Sequence, residues 1–211
     1  MWYAPDMQRT MAQILALPVT FLLIASVVIV TLLGWLYKPM QYALMLTPYK
    51  VRKSGQIHRL LTAGWLHKDI SHLVVNMLGL YFFTEHVVRV LDVTRFLVLY
   101  ISAVIVAYIP TTLRHMRNPD YHSLGASGAV AAVMFSAVLL TPNLKLALLF
   151  LPIPVPGLVF AVAYLAYSIW HSYDSGDGIN HDAHLSGAVF GAALTYWFEP
   201  ARVERTVKSF F

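Results

Sequence analysis

The sequence predicts an all-α, polytopic membrane protein in which six transmembrane helices form one bundle. Of the 211 residues, 58% are hydrophobic and 12% are charged, whereas a soluble domain carries about 25% charged residues. A chain with so few polar groups cannot cover a water-soluble globule of this size. Its aliphatic and aromatic residues also exclude a disordered chain. Uncharged stretches long enough to cross a hydrocarbon core of about 30 Å recur along the sequence, and these stretches set the number of helices.

Hydropathy and helix-breaking residues place the six spans. The first, which begins near Ile14, is too long for the apolar region of a signal peptide. The alternating prolines within 151–156 cannot continue a helix, so the fifth span begins near Gly157. Glu199 and Pro200 end the sixth span. The expected spans cover, approximately, residues 14–36, 72–90, 96–114, 127–141, 157–171 and 183–198 of a single domain, 1–211.

Residues 37–71 form a long connection between the first two spans. The connection contains prolines, glycines and six basic residues, interspersed with leucine, methionine and aromatic side chains. Connections of this length within a compact domain are usually functional or disordered. Because apolar side chains are embedded in this one, we expect a folded element that rests on the membrane.

Charge and cysteine content exclude several classes of protein. The formal net charge is +5, and there is no cysteine, which excludes disulfides, thiolate metal sites and a cysteine nucleophile. The basic residues are scattered, so no nucleic-acid partner is expected; a basic excess of this size is typical of contact with the headgroups of a lipid bilayer. Both faces of the predicted bundle carry basic residues, so the positive-inside bias does not decide the orientation.

Polar residues inside the predicted spans are candidates for function, because polar side chains are costly in hydrocarbon. His72 and Asn76 are four residues apart at the start of the second span and share one helix face. Ser127 opens the fourth span, and His184 opens the sixth. Spans two, four and six all begin on the same side of the bilayer. We therefore expect these four side chains to lie at one depth.

Small residues at that depth predict close contact between the fourth and sixth helices. Gly187 and Gly191 form a GxxxG pair, and Gly128, Ala131 and Ala132 form a small face on the fourth span. Such stripes let helix backbones approach closely. Close approach would bring the serine hydroxyl and the imidazole within hydrogen-bond distance, about 2.6–3.2 Å. The free backbone N–H groups at the start of the fourth helix could then stabilise an oxyanion, with the side chains of the second span as further donors.

Each of these residues also has an interpretation without catalysis. Glycine and serine in a membrane helix commonly serve packing, His184 could be an interfacial histidine, and Asn76 could hydrogen-bond two helices together. The histidine-rich face could hold a metal ion or haem, although His67 and His72, five residues apart, are poorly placed to ligate from one helix. Tyr164 is most simply a lipid-facing or core residue.

Four motifs follow one another along the chain, and the ordered set is far more specific than any one of them. They are His58-Arg59 with Thr62, His67 with His72 and Asn76, Gly125-Ala126-Ser127-Gly128, and Ala183-His184 with Gly187 and Gly191. In this order and on these spans, they resemble the rhomboid family of intramembrane serine proteases. The resemblance runs from about residue 14 to residue 198.

The resemblance implies a six-helix core with an active site open to water from the extracytoplasmic side. Carried over by position, Ser127 is the nucleophile and His184 its general base, without an acidic third member and without a metal or other cofactor. His72 and Asn76, with the N–H of Ser127, would form the oxyanion hole, and Arg59 matches a structural arginine of a membrane-embedded loop. The expected substrates are transmembrane segments of membrane proteins. Four glycines would support the site: Gly125, Gly128, Gly187 and Gly191.

The chain departs from the family pattern at several positions. The tyrosine that commonly stacks on the catalytic histidine is replaced by Ala131, so another group must orient His184. A glutamate and a glycine near the end of the second span fall at about Val88 and Asp92. Asp182, two residues before His184, is not expected to act as a third catalytic member.

Two alternatives to a protease remain, and the sequence also suggests a location. Within the same family, the chain could be a catalytically silent scaffold that binds transmembrane helices. Outside the family, it could be a membrane protein with a histidine-ligated metal or haem.

The expected location is a bacterial inner membrane with both termini in the cytoplasm. The oligomeric state is not predicted.

Overall fold

The computed structural model describes residues 4–148, 151–172 and 180–210, and its regular structure is helical apart from one short hairpin. The helices are α1 (Ala4–Leu36), α2 (Lys38–Leu44), α3 (Pro48–Ser54), α4 (Arg59–Thr62), α5 (Ile70–His115), α6 (Ser127–Leu140), α7 (Gly157–Ser172), α8 (His181–Phe198) and α9 (Pro200–Lys208). A 3₁₀ turn (Ala63–Trp65) follows α4, and strands β1 (Lys145–Leu148) and β2 (Leu151–Pro156) form the hairpin. The predicted all-α class is confirmed for these residues.

Transmembrane helices are present in the fold. Residues 16–36 of α1 and the whole of α5 are long and apolar enough to cross a bilayer. Helix α6 and residues 157–170 of α7 are apolar but shorter. The number of six spans stays a prediction.

Helix α5 covers both the second and the third predicted spans, and one residue interrupts it. Asp92 has φ 66° and ψ 172°, and it is the one non-glycine residue with positive φ among those described. An aspartate tolerates this left-handed region better than most residues do. Its Oδ1 accepts a hydrogen bond from the backbone N–H of Arg95 at 3.0 Å, so Asp92 also caps the second half of the helix. The two predicted spans therefore meet directly, without a loop of several residues.

The chain reverses direction at Asp92, so that the two halves of α5 lie side by side. A Cβ placed on Gly79, in the first half, would lie 2.5 Å from Cγ1 of Val130 in α6. A Cβ on Gly128, less than a turn earlier in α6, would lie 2.5 Å from Cβ of Ala107 in the second half. A straight helix would separate Gly79 from Ala107 by about 40 Å, at about 1.5 Å per residue. Both ends of α5 consequently lie at the end of the bundle where α6 begins.

Arg59 holds the connection between α1 and α5 in a folded shape. Arg59 is 4% exposed. Its guanidinium donates three hydrogen bonds, from Nη1 to the carbonyl oxygens of Tyr42 (2.9 Å) and Met45 (2.7 Å) and from Nε to Oε1 of Gln56 (2.7 Å). Burial lowers the pKa of Arg59. These bonds join the end of α2 to the start of α4. They give a physical reason for an arginine here, because its forked donors reach several acceptors at once.

Helices α6 and α8 meet backbone to backbone at the centre of the fold. A Cβ on Gly187 would overlap the carbonyl oxygen of Gly128, and a Cβ on Gly191 would overlap that of Ala132. The two helices can approach so closely only because these positions lack side chains. The starts of α6 and α8 are thereby held side by side.

The β-hairpin was not predicted from the sequence. Strand β1 pairs with β2 in antiparallel register, with Lys145 opposite Pro156 and Leu146 opposite Val155. Prolines cannot continue a helix and favour extended backbone, while the residues between them keep their N–H groups for pairing. The N–H of Gly157 donates to the carbonyl oxygen of Leu144 at 2.7 Å. This hydrogen bond lies at the open end of the hairpin, and α7 begins at Gly157, as the prolines predict.

Candidate active site

Ser127 and His184 lie within hydrogen-bond distance of each other. Nε2 of His184 is 2.6 Å from Oγ of Ser127. Ser127 is the first residue of α6, and His184 lies in the first turn of α8, so the close contact between these helices brings the two side chains together. Both residues are half-buried, so neither is sealed within the core. A hydroxyl with an imidazole at this distance has the geometry of a nucleophile with its general base.

Aromatic rings from α7 and α8 surround the imidazole of His184. The ring of Tyr164 is nearly parallel to it, with 6.0 Å between centroids and 27° between planes. The ring of His181 meets it edge-on at 5.8 Å and in turn contacts Tyr167 at 5.5 Å. Such contacts orient rings and contribute about 0.5–1.5 kcal/mol each. Tyr164 therefore provides the aromatic neighbour that the fourth span lacks at Ala131, and it is more than a lipid-facing or core residue.

Asp182 pairs with an arginine at the end of α5. Its Oδ2 is 3.0 Å from Nη1 of Arg114, and the aspartate side chain is 13% exposed. This ion pair directs the carboxylate towards α5. That Asp182 is not a third catalytic residue stays a prediction.

The turn that leads into Ser127 is held from three sides. Gly125 has φ +133°, a conformation that residues with a side chain rarely adopt. Its N–H donates to the carbonyl oxygen of Ala63 at 3.0 Å, and its own carbonyl accepts a hydrogen bond from the hydroxyl of Tyr108 at 2.7 Å. The next N–H, of Ala126, donates to Nε2 of His67 at 3.4 Å. The first backbone N–H groups of α6 are thus set in a fixed direction.

His72 and Asn76 lie on the first turns of α5, next to this turn. A Cβ on Gly125 would lie 2.6 Å from Cε1 and 2.8 Å from Nε2 of His72, so the imidazole covers the glycine. Nδ1 of His72 is buried, and within the described part of the chain it has no hydrogen-bond partner. Asn76 is 3% exposed, and its Nδ2 donates to the carbonyl oxygen of His72 at 2.8 Å. The structure brings His72 beside the turn, whereas the amide of Asn76 donates to its own helix.

Asp69 fixes where α5 begins, and with it the position of His72. Its Oδ1 accepts a hydrogen bond from the backbone N–H of His72 at 2.8 Å and another from the hydroxyl of Ser71 at 2.7 Å. These two bonds, the first above all, lower the pKa of the Asp69 carboxyl. A charged N-cap at this place favours the start of the helix.

Asn180 fixes the start of α8 in a similar way. Its Oδ1 accepts hydrogen bonds from the N–H of Ala183 at 3.1 Å and from the hydroxyl of Thr111 at 2.7 Å. Its Nδ2 donates to Oγ of Ser123 at 3.0 Å. One side chain therefore links the end of α5, the approach to α6 and the first turn of α8, which carries His184.

Sequence reasoning assigned no role at the site to four of these contributors, although His67 stands in one of the motifs and Tyr164 was considered as a lipid-facing or core residue. Asn180 carries a recognisable signal, because asparagine before an apolar helix is a common N-cap. The contacts of His67, Tyr108 and Tyr164 join residues far apart in the sequence, and no local pattern indicates them. As for metal ligands, no group of three or more histidine, aspartate or glutamate side chains that could hold an ion occurs within the residues described.

Comparison with known proteins decides the family. The sequence matches the family model described as Rhomboid domain over residues 54–200, more than half of the chain. The chain belongs to the rhomboid family. It is similar to RHOMBOID-like protein 12, mitochondrial, of Arabidopsis thaliana, with 33% identity over 155 residues that cover 66% of this chain and 46% of the relative.

Two further relatives have names of the same kind. Presenilin-associated rhomboid-like protein, mitochondrial, of Homo sapiens is 28% identical over 153 residues, covering 66% of this rhomboid chain and 38% of the relative. Rhomboid protein 1, mitochondrial, of Saccharomyces cerevisiae is 28% identical over 158 residues, covering 69% and 43%. The chain spans less than half the length of these relatives.

The comparisons correct the expected location. Rhomboid proteins are membrane proteins and generally serine proteases, in agreement with the transmembrane helices of this chain. A bacterial inner membrane was expected, and this expectation is wrong: the relatives carry mitochondrial names and point to a mitochondrial membrane.

Proposed function

We propose that this rhomboid protein is an intramembrane serine endopeptidase of a mitochondrial membrane. It cleaves transmembrane segments of membrane-protein substrates, using Ser127 as nucleophile and His184 as general base. The observation that carries the proposal is the 2.6 Å contact between Nε2 of His184 and Oγ of Ser127 at the start of α6. The proposal includes six membrane spans that form one domain, with both termini on the same side.

Acylation and deacylation follow from this geometry. Nε2 of His184 takes the hydroxyl proton while Oγ of Ser127 attacks the carbonyl carbon of the scissile bond. When the tetrahedral intermediate collapses, His184 gives the proton to the leaving amine nitrogen, and an ester to Ser127 remains. Water then attacks the ester, with His184 again as base, and the serine is regenerated. The half-buried position of both side chains supports a route for that water.

The negative charge of the intermediate forms next to the turn before α6. The N–H of Ser127 belongs to the first turn of the helix, where backbone donors have no partner within the helix. The imidazole of His72 lies over Gly125, two residues earlier. Asn76 uses one amide hydrogen on the carbonyl of His72, and its second amide hydrogen is available as a further donor. We assign these three groups to the oxyanion hole.

The substrate must expose a peptide bond to the serine. A transmembrane helix buries its carbonyl carbons within its own hydrogen-bonded backbone, so it must unwind locally before attack. We therefore expect small or helix-breaking residues near the cleavage site. The chemistry needs no metal ion.

The experiment compares three proteins on one model transmembrane substrate in detergent or liposomes. Wild type is expected to cut it, whereas Ser127→Ala and His184→Ala lose at least about 10³-fold in rate, because a nucleophile and its base act as a unit. Ser102→Ala is the matched control, since the hydroxyl of Ser102 donates to carbonyls of its own helix. It should cleave at the wild-type rate.

Two results would contradict the proposal. Equal cleavage by wild type and Ser127→Ala would exclude this serine as nucleophile. A folded wild-type protein that binds transmembrane helices from a panel of substrates, yet cuts none, would identify the silent scaffold instead.

A further inference from the structure

We propose that His67 is a positioning residue of the active site, holding the backbone turn before Ser127 in the geometry that stabilises the oxyanion. The inference rests on the proposed protease function. The ring of His67 acts through the turn, because its hydrogen bonds go to Thr31 and to the backbone of Ala126. The observation behind the inference is a chain of hydrogen bonds that starts on α1 and ends at the backbone amide of Ala126, directly before the nucleophile.

The imidazole of His67 is completely buried and joins three parts of the fold. Nε2 accepts the N–H of Ala126 at 3.4 Å, and Nδ1 lies 3.1 Å from Oγ1 of Thr31 on α1. The hydroxyl of Thr31 donates to the carbonyl oxygen of Trp65 at 3.0 Å. The carbonyl of His67 itself accepts the indole N–H of Trp35 at 2.7 Å. Both the ring and the backbone of His67 are therefore fixed.

These contacts allow only one arrangement of the hydrogens. Nε2 faces an N–H group, so it must carry the lone pair, and the ring hydrogen sits on Nδ1. Nδ1–H then donates to Thr31, whose hydroxyl hydrogen is directed to the carbonyl of Trp65. Burial, with a smaller contribution from the nearby His72, lowers the pKa of His67 to about 3. The ring is consequently neutral at physiological pH, as an acceptor for Ala126 requires.

His67 also touches the second part of the proposed oxyanion hole. Its ring meets the ring of His72 edge to face, with 4.9 Å between centroids and 71° between planes. One side chain thus contacts the amide next to Ser127 and the imidazole over Gly125. If His67 is lost, the turn loses an anchor and His72 loses a packing surface. Misplacement of reacting groups by about 1 Å can cost about 10²-fold in rate.

The test measures kcat and KM for a model transmembrane substrate, with the unfolding midpoint as a separate readout. His67→Leu fills a similar volume without an acceptor and is expected to lower kcat about 10- to 100-fold, with KM changed less than about twofold. His67→Gln keeps an acceptor at nearly the same reach and should recover most of kcat. His58→Leu, at an exposed histidine of the same connection, is the matched control.

Amide hydrogen exchange of the peptide around residues 125–127 gives a readout that needs no activity. Faster exchange at this turn is expected in His67→Leu, and wild-type exchange in His67→Gln. Unchanged kcat and unchanged exchange in His67→Leu would overturn the inference, and so would a loss of kcat that His67→Gln shares in full. Failure of the proposed function is distinct: wild type and Ser127→Ala would then behave alike, whatever the exchange at 125–127.

Discussion

Replacement of Gly125 by alanine is expected to lower the cleavage rate by about 10²-fold or more. Two independent effects act at this position. The backbone has φ +133°, which strains any residue with a side chain by about 1–3 kcal/mol. The added Cβ would lie 2.6 Å from Cε1 of His72, so the imidazole must move away from the turn. Loss of a single oxyanion donor costs roughly 10²–10³ in kcat, and here both the turn and His72 are displaced.

Gly55→Ala is the matched control, because it separates the strain of a positive φ from the clash with a neighbouring side chain. Gly55 also has a positive φ, +64°, but a Cβ there would have nothing within 4 Å. We expect Gly55→Ala to lose some stability while the folded enzyme keeps its kcat. The measurement is kcat of the folded fraction, with folding followed by circular dichroism. Wild-type kcat in Gly125→Ala would contradict the assignment of the oxyanion hole to this turn.

Gly187→Ala is expected to destabilise the fold strongly, although it adds a single carbon atom. Its Cβ would overlap the carbonyl oxygen of Gly128, and neither group is the end of a flexible side chain that can turn aside. Overpacking costs about 1–3 kcal/mol where side chains can adjust. A backbone clash should reach or exceed the upper end of that range. Helices α6 and α8 must separate, and the contact between Ser127 and His184 is lost with them.

The measurement for Gly187→Ala is the midpoint of detergent-induced or thermal unfolding. Ala193→Leu, on an exposed face of the same helix, adds more atoms and is expected to leave the midpoint unchanged. Comparison of the two variants therefore shows whether the unfolding midpoint falls because α8 has gained volume anywhere, or because the volume is added at its contact with α6. An unfolding midpoint for Gly187→Ala equal to that of wild type would show that the backbones are not in close contact.

The sequence predicts the parts of the fold that depend on local chemistry. Uncharged stretches ended by polar or helix-breaking residues placed the starts of α6 and α7 at Ser127 and Gly157, where the structure has them. The prolines of 151–156 excluded a helix, but pairing with β1 depends on a second segment and was missed. The continuity of α5 through Asp92 was missed for a related reason. A one-residue break depends on a backbone conformation that hydropathy does not report.

The candidate site was predictable to a similar extent. The alternating direction of the spans placed Ser127 and His184 at one depth, and small-residue spacing predicted close contact between their helices. The structure has the two side chains 2.6 Å apart. Their catalytic roles stay predictions. The partners that orient them, His67 behind the turn and Tyr164 beside the imidazole, come from distant parts of the chain. Such contacts follow from the packing of whole helices, which a pattern within one helix cannot supply.

Covalent labelling tests the central claim most directly, because it needs no knowledge of the substrate. The folded protein is treated with a serine-directed fluorophosphonate, and the adduct is located by mass spectrometry. The proposal predicts one adduct, on Oγ of Ser127, which is absent in Ser127→Ala and strongly reduced in His184→Ala. Folded wild-type protein that takes up no label, or that takes it up equally when Ser127 is alanine, would contradict it.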